Sequence, residues 1–275
     1  MNPPPALFSL EGRNALVTGA SRGIGRTIAE ALAANGARVV CAARTIKDLE
    51  DLVETIRKAG GQAKALAMDV GDRDSLPAAA AAAEACFGPL DILVNNAGVN
   101  FREPLEEISG EHFDRILSIN VEGMLFLTQA VARGMMARRS GKVINVGSIT
   151  TGFGLSNLAV YSLTKGAVGQ LTKALATELG RHNIQVNALC PGFIMTPMTN
   201  KLWSMPHMQE WGKRRIPLGR VATPADLIGS AVFLASAASD YVTGHSLFVD
   251  GGFTAGEPWP IPSGGGNVAP PGEIA

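Results

Sequence analysis

Cysteine is scarce in this 275-residue chain, and what there is does not cluster. Cys41, Cys86 and Cys190 are far apart and match neither a CxxC pair nor a Cys/His ligand spacing. They are expected to be reduced core residues rather than a redox or metal site. His112, His182, His207 and His245 are just as scattered, so no catalytic metal is expected. An excess of one charge is also missing. The 24 Lys and Arg balance 24 Asp and Glu, which offers no basic field for nucleic acid or an anionic membrane. No run approaches the roughly 18–20 apolar residues of a membrane span. The opening stretch, MNPPPALFSLEGR, has no basic region followed by a long apolar run. No secretory signal is therefore expected, and the location is expected to be cytoplasmic.

What the chain does have is apolar residues, 46% of the total, arranged in short runs. Val-, Ile- and Leu-rich runs recur at Ala15–Val17, Arg38–Ala42, Ala65–Ala67, Ile92–Val94, Val143–Val146, Ile184–Leu189 and Ser246–Val249. Segments with helical spacing separate them, at about 23–35, 45–59, 72–86, 109–138, 159–181 and 223–237. Strands apolar on both faces, alternating with helices, predict an α/β fold with a parallel, doubly wound sheet. Residues 1–6 are proline-rich and residues 256–275 are rich in proline and glycine. Both are expected to be tails outside the core; the alternative for the second is a segment that crosses a subunit boundary. No linker interrupts residues 7–255, which predicts a single domain.

The first strand runs into Thr18-Gly19-Ala20-Ser21-Arg22-Gly23-Ile24-Gly25, and a helix follows. Glycines let a backbone turn tightly and approach a pyrophosphate, and the helix N-terminus offers free N–H groups to it. Such a turn can also end a strand for purely structural reasons. Its place at the first strand–helix junction favours dinucleotide binding. In dinucleotide folds an acidic residue at the end of the second strand holds the ribose 2′-hydroxyl. Here that position is Ala43, and Arg44 follows it. With Arg22, Arg44 would clamp a 2′-phosphate, so NADP(H) is expected over NAD(H). The alternative is that Arg44 stacks on the adenine and Arg22 is a solvated surface residue. Asp69 and Val70, after the third strand, are candidates for the adenine edge, and the alternative for Asp69 is a helix N-cap.

Ser148 follows the fifth strand, Tyr161 comes thirteen positions later, and Lys165 lies four beyond that. The i, i+4 spacing puts Tyr161 and Lys165 on one helix face. A free tyrosine has a pKa of about 10. A neighbouring ammonium favours the phenolate and would bring that value towards the working range of a general acid/base. The Ser148 hydroxyl would polarise a substrate carbonyl. A tyrosine and lysine at this spacing are common and usually structural. Joined to an upstream serine and the glycine turn they are rare.

These residues resemble the short-chain dehydrogenase/reductase family over residues 7–255. The likeness is carried by Thr18–Gly25, Asn95-Asn96-Ala97-Gly98, Asn120, Ser148, Tyr161, Lys165 and Pro191-Gly192. It implies a Rossmann-like domain with a seven-stranded parallel sheet and a homotetramer. It implies Tyr161 as general acid/base, Lys165 as its partner on the nicotinamide ribose, and Ser148 as the carbonyl-orienting group. It implies that Asn120 holds a water beside the lysine. Cofactor contacts are implied at Gly19, Ser21, Arg22, Ile24, Gly25, Arg44, Asp69, Val70, Asn96, Ala97 and Gly98, and at Tyr161 and Lys165. At the nicotinamide end they are implied at Pro191, Gly192, Ile194 and Thr196. Without the family, Asn120 reads as a capping or buried polar residue and Pro191-Gly192 as a turn.

Substrate contacts are expected from Asn100-Phe101-Arg102, Thr150–Leu158, Phe193 and the stretch 198–215. Met198, Leu202, Trp203, Met205, Met208 and Trp211 give that stretch an apolar stripe. It is either a lid or ordinary helix packing. The C-terminal half resembles gluconate 5-dehydrogenase-like and related sugar-acid or polyol members, through Ile216–Arg220, Asp226–Leu234 and Gly244–Gly252. Arg102 would meet a substrate carboxylate, or is a solvated loop residue. The expected activity is NADP(H)-dependent interconversion of a ketone and a secondary alcohol. Two alternatives stay open. One is a 3-oxoacyl thioester reductase, with Arg133, Arg138 and Arg139 as a carrier-protein patch. The other is a non-catalytic dinucleotide sensor.

Overall fold

The seven apolar runs lie side by side in one parallel sheet. The computed structural model describes residues 6–256. Its strands are β1 (Asn14–Thr18), β2 (Arg38–Ala43), β3 (Gln62–Ala67), β4 (Ile92–Asn95), β5 (Gly141–Val146), β6 (Ile184–Pro191) and β7 (Ser246–Val249). Their order across the sheet is β3-β2-β1-β4-β5-β6-β7, and every neighbouring pair is parallel. The helices are α1 (Gly23–Ala34), α2 (Lys47–Lys58), α3 (Leu76–Phe87), α4 (Gly110–Leu117), α5 (Gly123–Arg138), α6 (Ala159–Leu179), α7 (Asn200–Trp203), α8 (Pro206–Arg215) and α9 (Ile228–Ala235). This is the doubly wound, Rossmann-like single domain that the alternation predicts.

The sheet has a core on each face. Ile28 and Leu32 of α1, Leu49 and Leu52 of α2, and Ala231 and Leu234 of α9 pack on one side. Leu76, Ala80 and Ala83 of α3, Leu127 and Val131 of α5, and Ala176 and Leu179 of α6 pack on the other. Strands β1, β4, β5 and β6 are buried at every position, as burial on both faces requires. The chain order reverses between β1 and β4. A crevice opens there, beyond the carboxyl ends of the strands.

Three details depart from the sequence expectation. β3 begins at Gln62, three residues before the apolar run, because an edge strand tolerates the exposed Gln62 and Lys64 around the buried Ala63. The helix expected over 109–138 is interrupted by a π-helical turn at Ser118–Glu122. Cys86 is only partly buried. The tails expected at 1–6 and 256–275 lie outside the described residues, except for Ala6, which opens a short 3-10 turn, and Gly256.

Candidate active site

Two loops meet at the switch between β1 and β4. After β1 the chain turns through Gly19, with φ +62°, into α1. A Cβ on Gly25 would collide with Asn96 Nδ2 and the Gly19 carbonyl oxygen, so only glycine lets turn and helix close on each other. The loop after β4 braces the turn. Asn96 Nδ2 donates to the carbonyl oxygens of Thr18 at 2.9 Å and Gly19 at 3.2 Å. The Thr18 hydroxyl accepts from the N–H groups of Asn96 and Ala97 at 3.0 and 3.1 Å. Helix α1 has no side-chain cap at Arg22 and no acidic residue in its first turn. Its leading N–H groups and positive dipole end are left for an anion.

The loops bound a cleft of about 470 Å³. One end is lined by Gly19, Ser21, Arg22, Ile24 and Gly25, and by Arg44 beyond β2. Arg22 and Arg44 are exposed, and neither has a carboxylate partner among the described residues. Ala43, at the end of β2, also lines the cleft. The sequence gives no hint of Asp48, a lining carboxylate on the first turn of α2. Asp69 and Val70 line the middle. Asp69 Oδ1 accepts from the Gly71 N–H at 2.9 Å, which makes it a turn-forming aspartate. The N-cap position of the following 3-10 turn belongs to Asp72 instead.

Asn96, Ala97, Gly98, Ser148, Tyr161, Lys165, Pro191, Gly192, Ile194 and Thr196 line the far end. Thr199, which the sequence places only within the substrate stretch 198–215, lines it too. Thr199 Oγ1 donates to the Ile194 carbonyl at 2.5 Å and accepts from the Thr196 N–H at 3.0 Å, so it fixes the loop after β6. The Thr196-x-x-Thr199 spacing is the signal that would have found it.

Ser148 N-caps a 3-10 turn at Ile149–Thr151. Its Oγ accepts from the Thr150 N–H at 3.1 Å, and the Ser148 side chain favours ionisation of the Tyr161 hydroxyl. Tyr161 opens onto the cleft yet is largely enclosed by protein. Burial pushes its phenol above the ordinary tyrosine value, against the Ser148 hydrogen bond and the positive charge of Arg102. Lys165 Nζ donates to the Val146 carbonyl at 2.7 Å and stands 5.6 Å from the centroid of the Tyr161 ring. Burial pulls its pKa down to about 8. This runs against the expectation that Lys165 lowers Tyr161: both groups are taken out of water, burial is the largest influence on each, and Arg102 adds a positive charge that favours the phenolate.

Of the residues expected for catalysis and cofactor binding, Asn120 does not line the cleft, although its neighbour Ile119 does; of those expected for substrate, Asn100, Phe101, Arg102, residues 150–158 and Phe193 do not line it either. The buried Asn120 side chain accepts from the Val99 N–H at 2.9 Å and donates to the Val99 carbonyl at 3.0 Å and Thr164 Oγ1 at 3.2 Å. It ties the loop after β4 to α6.

The apolar stripe of 198–215 divides. Trp203 is buried and meets Phe193 edge-on at 5.1 Å, and Trp211 does so at 5.3 Å. Phe193 also meets Phe253 at 4.9 Å. These rings seat α7 and α8 on the sheet by ordinary packing. Met198, 58% exposed, is the stripe residue that lines the cleft. Arg138 and Arg139 do not form a patch beside the site. They donate to the carbonyls of Leu90 and Arg181, ahead of β4 and β6, at the opposite end of the sheet from the cleft.

A doubly wound sheet with an uncapped glycine turn at its switch point, opening onto a serine–tyrosine–lysine group, defines a dinucleotide-dependent oxidoreductase. Comparison with known proteins gives the family. A family model described as enoyl-(acyl carrier protein) reductase matches residues 19–254. Gluconate 5-dehydrogenase of Gluconobacter oxydans (strain 621H) is 45% identical over 250 residues, 91% of this chain and 98% of that protein. L-xylulose reductase of Bos taurus is 44% identical over 247 residues, 90% of this chain and 98% of that protein. A crystal structure of a gluconate 5-dehydrogenase from Burkholderia cenocepacia J2315, in complex with NADP and tartrate, matches with a TM-score of 0.88 at 40% identity. The match covers 91% of this chain and 98% of that one. The chain belongs to the short-chain dehydrogenase/reductase family and is an enzyme acting on CH–OH groups.

Proposed function

We propose that this enzyme interconverts a keto-sugar acid or related polyhydroxy ketone and its secondary alcohol, using NADP(H). The observation that carries the reading is the continuous cleft. It joins an uncapped helix N-terminus flanked by Arg22 and Arg44 to Ser148, Tyr161 and Lys165, which line the same cleft.

A nicotinamide dinucleotide bound there supplies or accepts hydride. The N–H groups at the start of α1 hold its pyrophosphate, and Arg22 and Arg44 hold the 2′-phosphate as charge-assisted partners. Asp69, Val70, Asn96, Ala97 and Gly98 flank the adenosine. Pro191, Gly192, Ile194 and Thr196 flank the nicotinamide, with Thr199 fixing their loop. Ser148 donates to the substrate carbonyl oxygen. Tyr161 delivers a proton to that oxygen during reduction and removes it during oxidation. Tyr161 buried as the neutral phenol is the form that reduction needs, and Arg102 and Ser148 ease its ionisation. Lys165 holds the ribose and restores the proton. Asn120 acts by holding the loop after β4 against α6. A homotetramer and a cytoplasmic location belong to the same reading.

The substrate class rests on the relatives named gluconate 5-dehydrogenase and L-xylulose reductase, and on two local features. Arg102 places a positive charge within reach of Tyr161, which suits a carboxylate. Asn100 Oδ1 and Thr150 Oγ1, on segments beside the site, are buried without a partner and would suit substrate hydroxyls. An acidic carrier protein docked at Arg138 and Arg139 would sit at the wrong end of the sheet, which weighs against the 3-oxoacyl thioester reading. The test is NADPH fluorescence with 5-keto-D-gluconate, L-xylulose, an acetoacetyl thioester and an aryl ketone. The proposal expects kcat/KM highest for 5-keto-D-gluconate. A clear preference for the thioester would replace it.

A further inference from the structure

Ser148 stands on the loop after β5, whereas Tyr161 and Lys165 stand on α6. Acting together on one carbonyl requires the loop and the helix to be held in a fixed relation. Tyr161, Lys165 and Gly169 follow at four-residue steps along one row of α6. Two contacts tie the loop to that row, one on each side of Ser148. On the strand side, Lys165 Nζ donates to the Val146 carbonyl at 2.7 Å. On the other side, Thr151 meets Gly169. A Cβ on Gly169 would stand 2.5 Å from Thr151 Cγ2, so the threonine methyl fills the space that a side chain there would need.

Thr151 also grips Ser148 directly. Its Oγ1 accepts the Ser148 N–H at 3.1 Å, and its own N–H donates to the Ser148 carbonyl at 2.9 Å. One residue thereby satisfies both backbone groups of the serine, in a capping box that closes the 3-10 turn. The preceding glycine is held as tightly. A Cβ on Gly147 would lie 2.8 Å from Thr151 Oγ1 and 2.6 Å from Cys190 Sγ, and the Gly147 N–H donates to the Leu189 carbonyl at 2.8 Å. The end of β5, the thiol of β6 and the threonine pack with no room for a further carbon. Thr151 itself does not line the cleft, so any part it has in the reaction runs through Ser148.

We propose that Thr151 is a positioning residue for the reaction. Its hydroxyl sets the backbone of Ser148. Its methyl group, seated on Gly169, sets the distance from that serine to the row bearing Tyr161 and Lys165. The inference rests on the reading of Ser148 and Tyr161 as the catalytic pair.

The experiment uses the ketone of the panel above that the parent enzyme reduces fastest, with NADPH affinity as the check on folding. Thr151→Val keeps the methyl seat and removes the hydroxyl. Its kcat is expected to fall about 10-fold, with KM and NADPH affinity within about twofold of the parent. Thr151→Ser keeps the hydroxyl and is expected to stay within about threefold of the parent. Gly169→Ala drives a carbon into Thr151 Cγ2 and is expected to lower kcat about 10-fold. Thr151→Ser combined with Gly169→Ala removes that methyl group and is expected to recover most of the loss, which a general loosening of the fold would not do. Because the Ser148 side chain favours ionisation of Tyr161, the rising limb of kcat against pH for alcohol oxidation is expected to move to higher pH in Thr151→Val. A parental kcat in Thr151→Val, an unmoved limb, or a Gly169→Ala defect that persists in the double variant would overturn the inference. Ser148→Ala separates this from a failure of the underlying reading. If Ser148→Ala is impaired while Thr151→Val is not, the inference alone falls. If Ser148→Ala turns over normally, the catalytic reading falls and takes the inference with it.

Discussion

The two ends of the cleft are built from different materials. The end bearing Arg22 and Arg44 is a backbone device, in which glycines, uncapped N–H groups and a helix dipole converge within the contiguous segment 19–25. The end bearing Tyr161 is a side-chain device assembled from the loops after β4, β5 and β6 and from α6. Backbone geometry binds whatever carries a pyrophosphate and leaves selectivity to the exposed arginines. The side-chain end carries the chemistry, and it does so with groups that burial has moved from their ordinary ionisation. Changes at one end are therefore expected to leave the other largely intact.

The sharpest way to break that separation is Tyr161→Phe. Turnover is expected to fall about 10³-fold, the range of a positioned general acid, while NADPH affinity by fluorescence titration stays within about twofold. Normal turnover would remove Tyr161 from the mechanism. At the other end, Ala43→Asp with Arg44→Leu is expected to move the NADPH-to-NADH ratio of kcat/KM by about 10–100-fold towards NADH, with kcat little changed. An unchanged ratio would mean that the arginines do not read the 2′-phosphate.

Lys165→Met tests the cost of the reactive end. It is expected to abolish activity and to stabilise the fold at pH 7 by roughly 1–3 kcal/mol, since it removes an ammonium that burial disfavours. The folded pKa of about 8 lies below the ordinary value of 10.5. The unfolded chain therefore binds more protons between those two values, and parent stability rises with pH across that window. Below about pH 8 the penalty is present in full. The stability gap between variant and parent is expected to close from about pH 8 to 10.5 in denaturant titrations. A constant gap would show that the lysine is not buried as an ammonium. The smallest effect belongs to Thr199→Val, which frees the Ile194 carbonyl and the Thr196 N–H. It is expected to weaken NADPH binding about fivefold, one net hydrogen bond's worth.

The same division explains what could be read in advance. The glycine turn was legible because its geometry needs a short local pattern, and the central strands because burial on both faces leaves no polar position. Tyr161 and Lys165 were legible as a helical pair, but the direction of the tyrosine's shift was not. It depends on how much protein surrounds both groups, and spacing does not report that. The first residues of β3 were missed because an edge strand hides half its apolar pattern. The π-helical turn at Ser118–Glu122 was not legible in the helical spacing; just after it, a Cβ on Gly123 would collide with the Val70 carbonyl, so the helix runs against the loop after β3. Asp48 and the stacking of His112 on Phe101 leave no periodicity at all, and Thr199 shows only through its spacing from Thr196.

By itself the sequence determined the alternation of strands and helices, the dinucleotide turn, the missing carboxylate at Ala43 and the identities of Ser148, Tyr161 and Lys165. Each follows from local backbone preference or from which chemical groups are present. Only the tertiary structure decided which charges reach one another. Burial raises the Tyr161 phenol although Lys165 lies on the same helix face, Arg138 and Arg139 donate to carbonyls at the other end of the sheet, and Asn120 ties the loop after β4 to α6. Electrostatic influence depends on distance and on exclusion of water, and residues far apart in the chain acquire both only when the sheet brings their loops together.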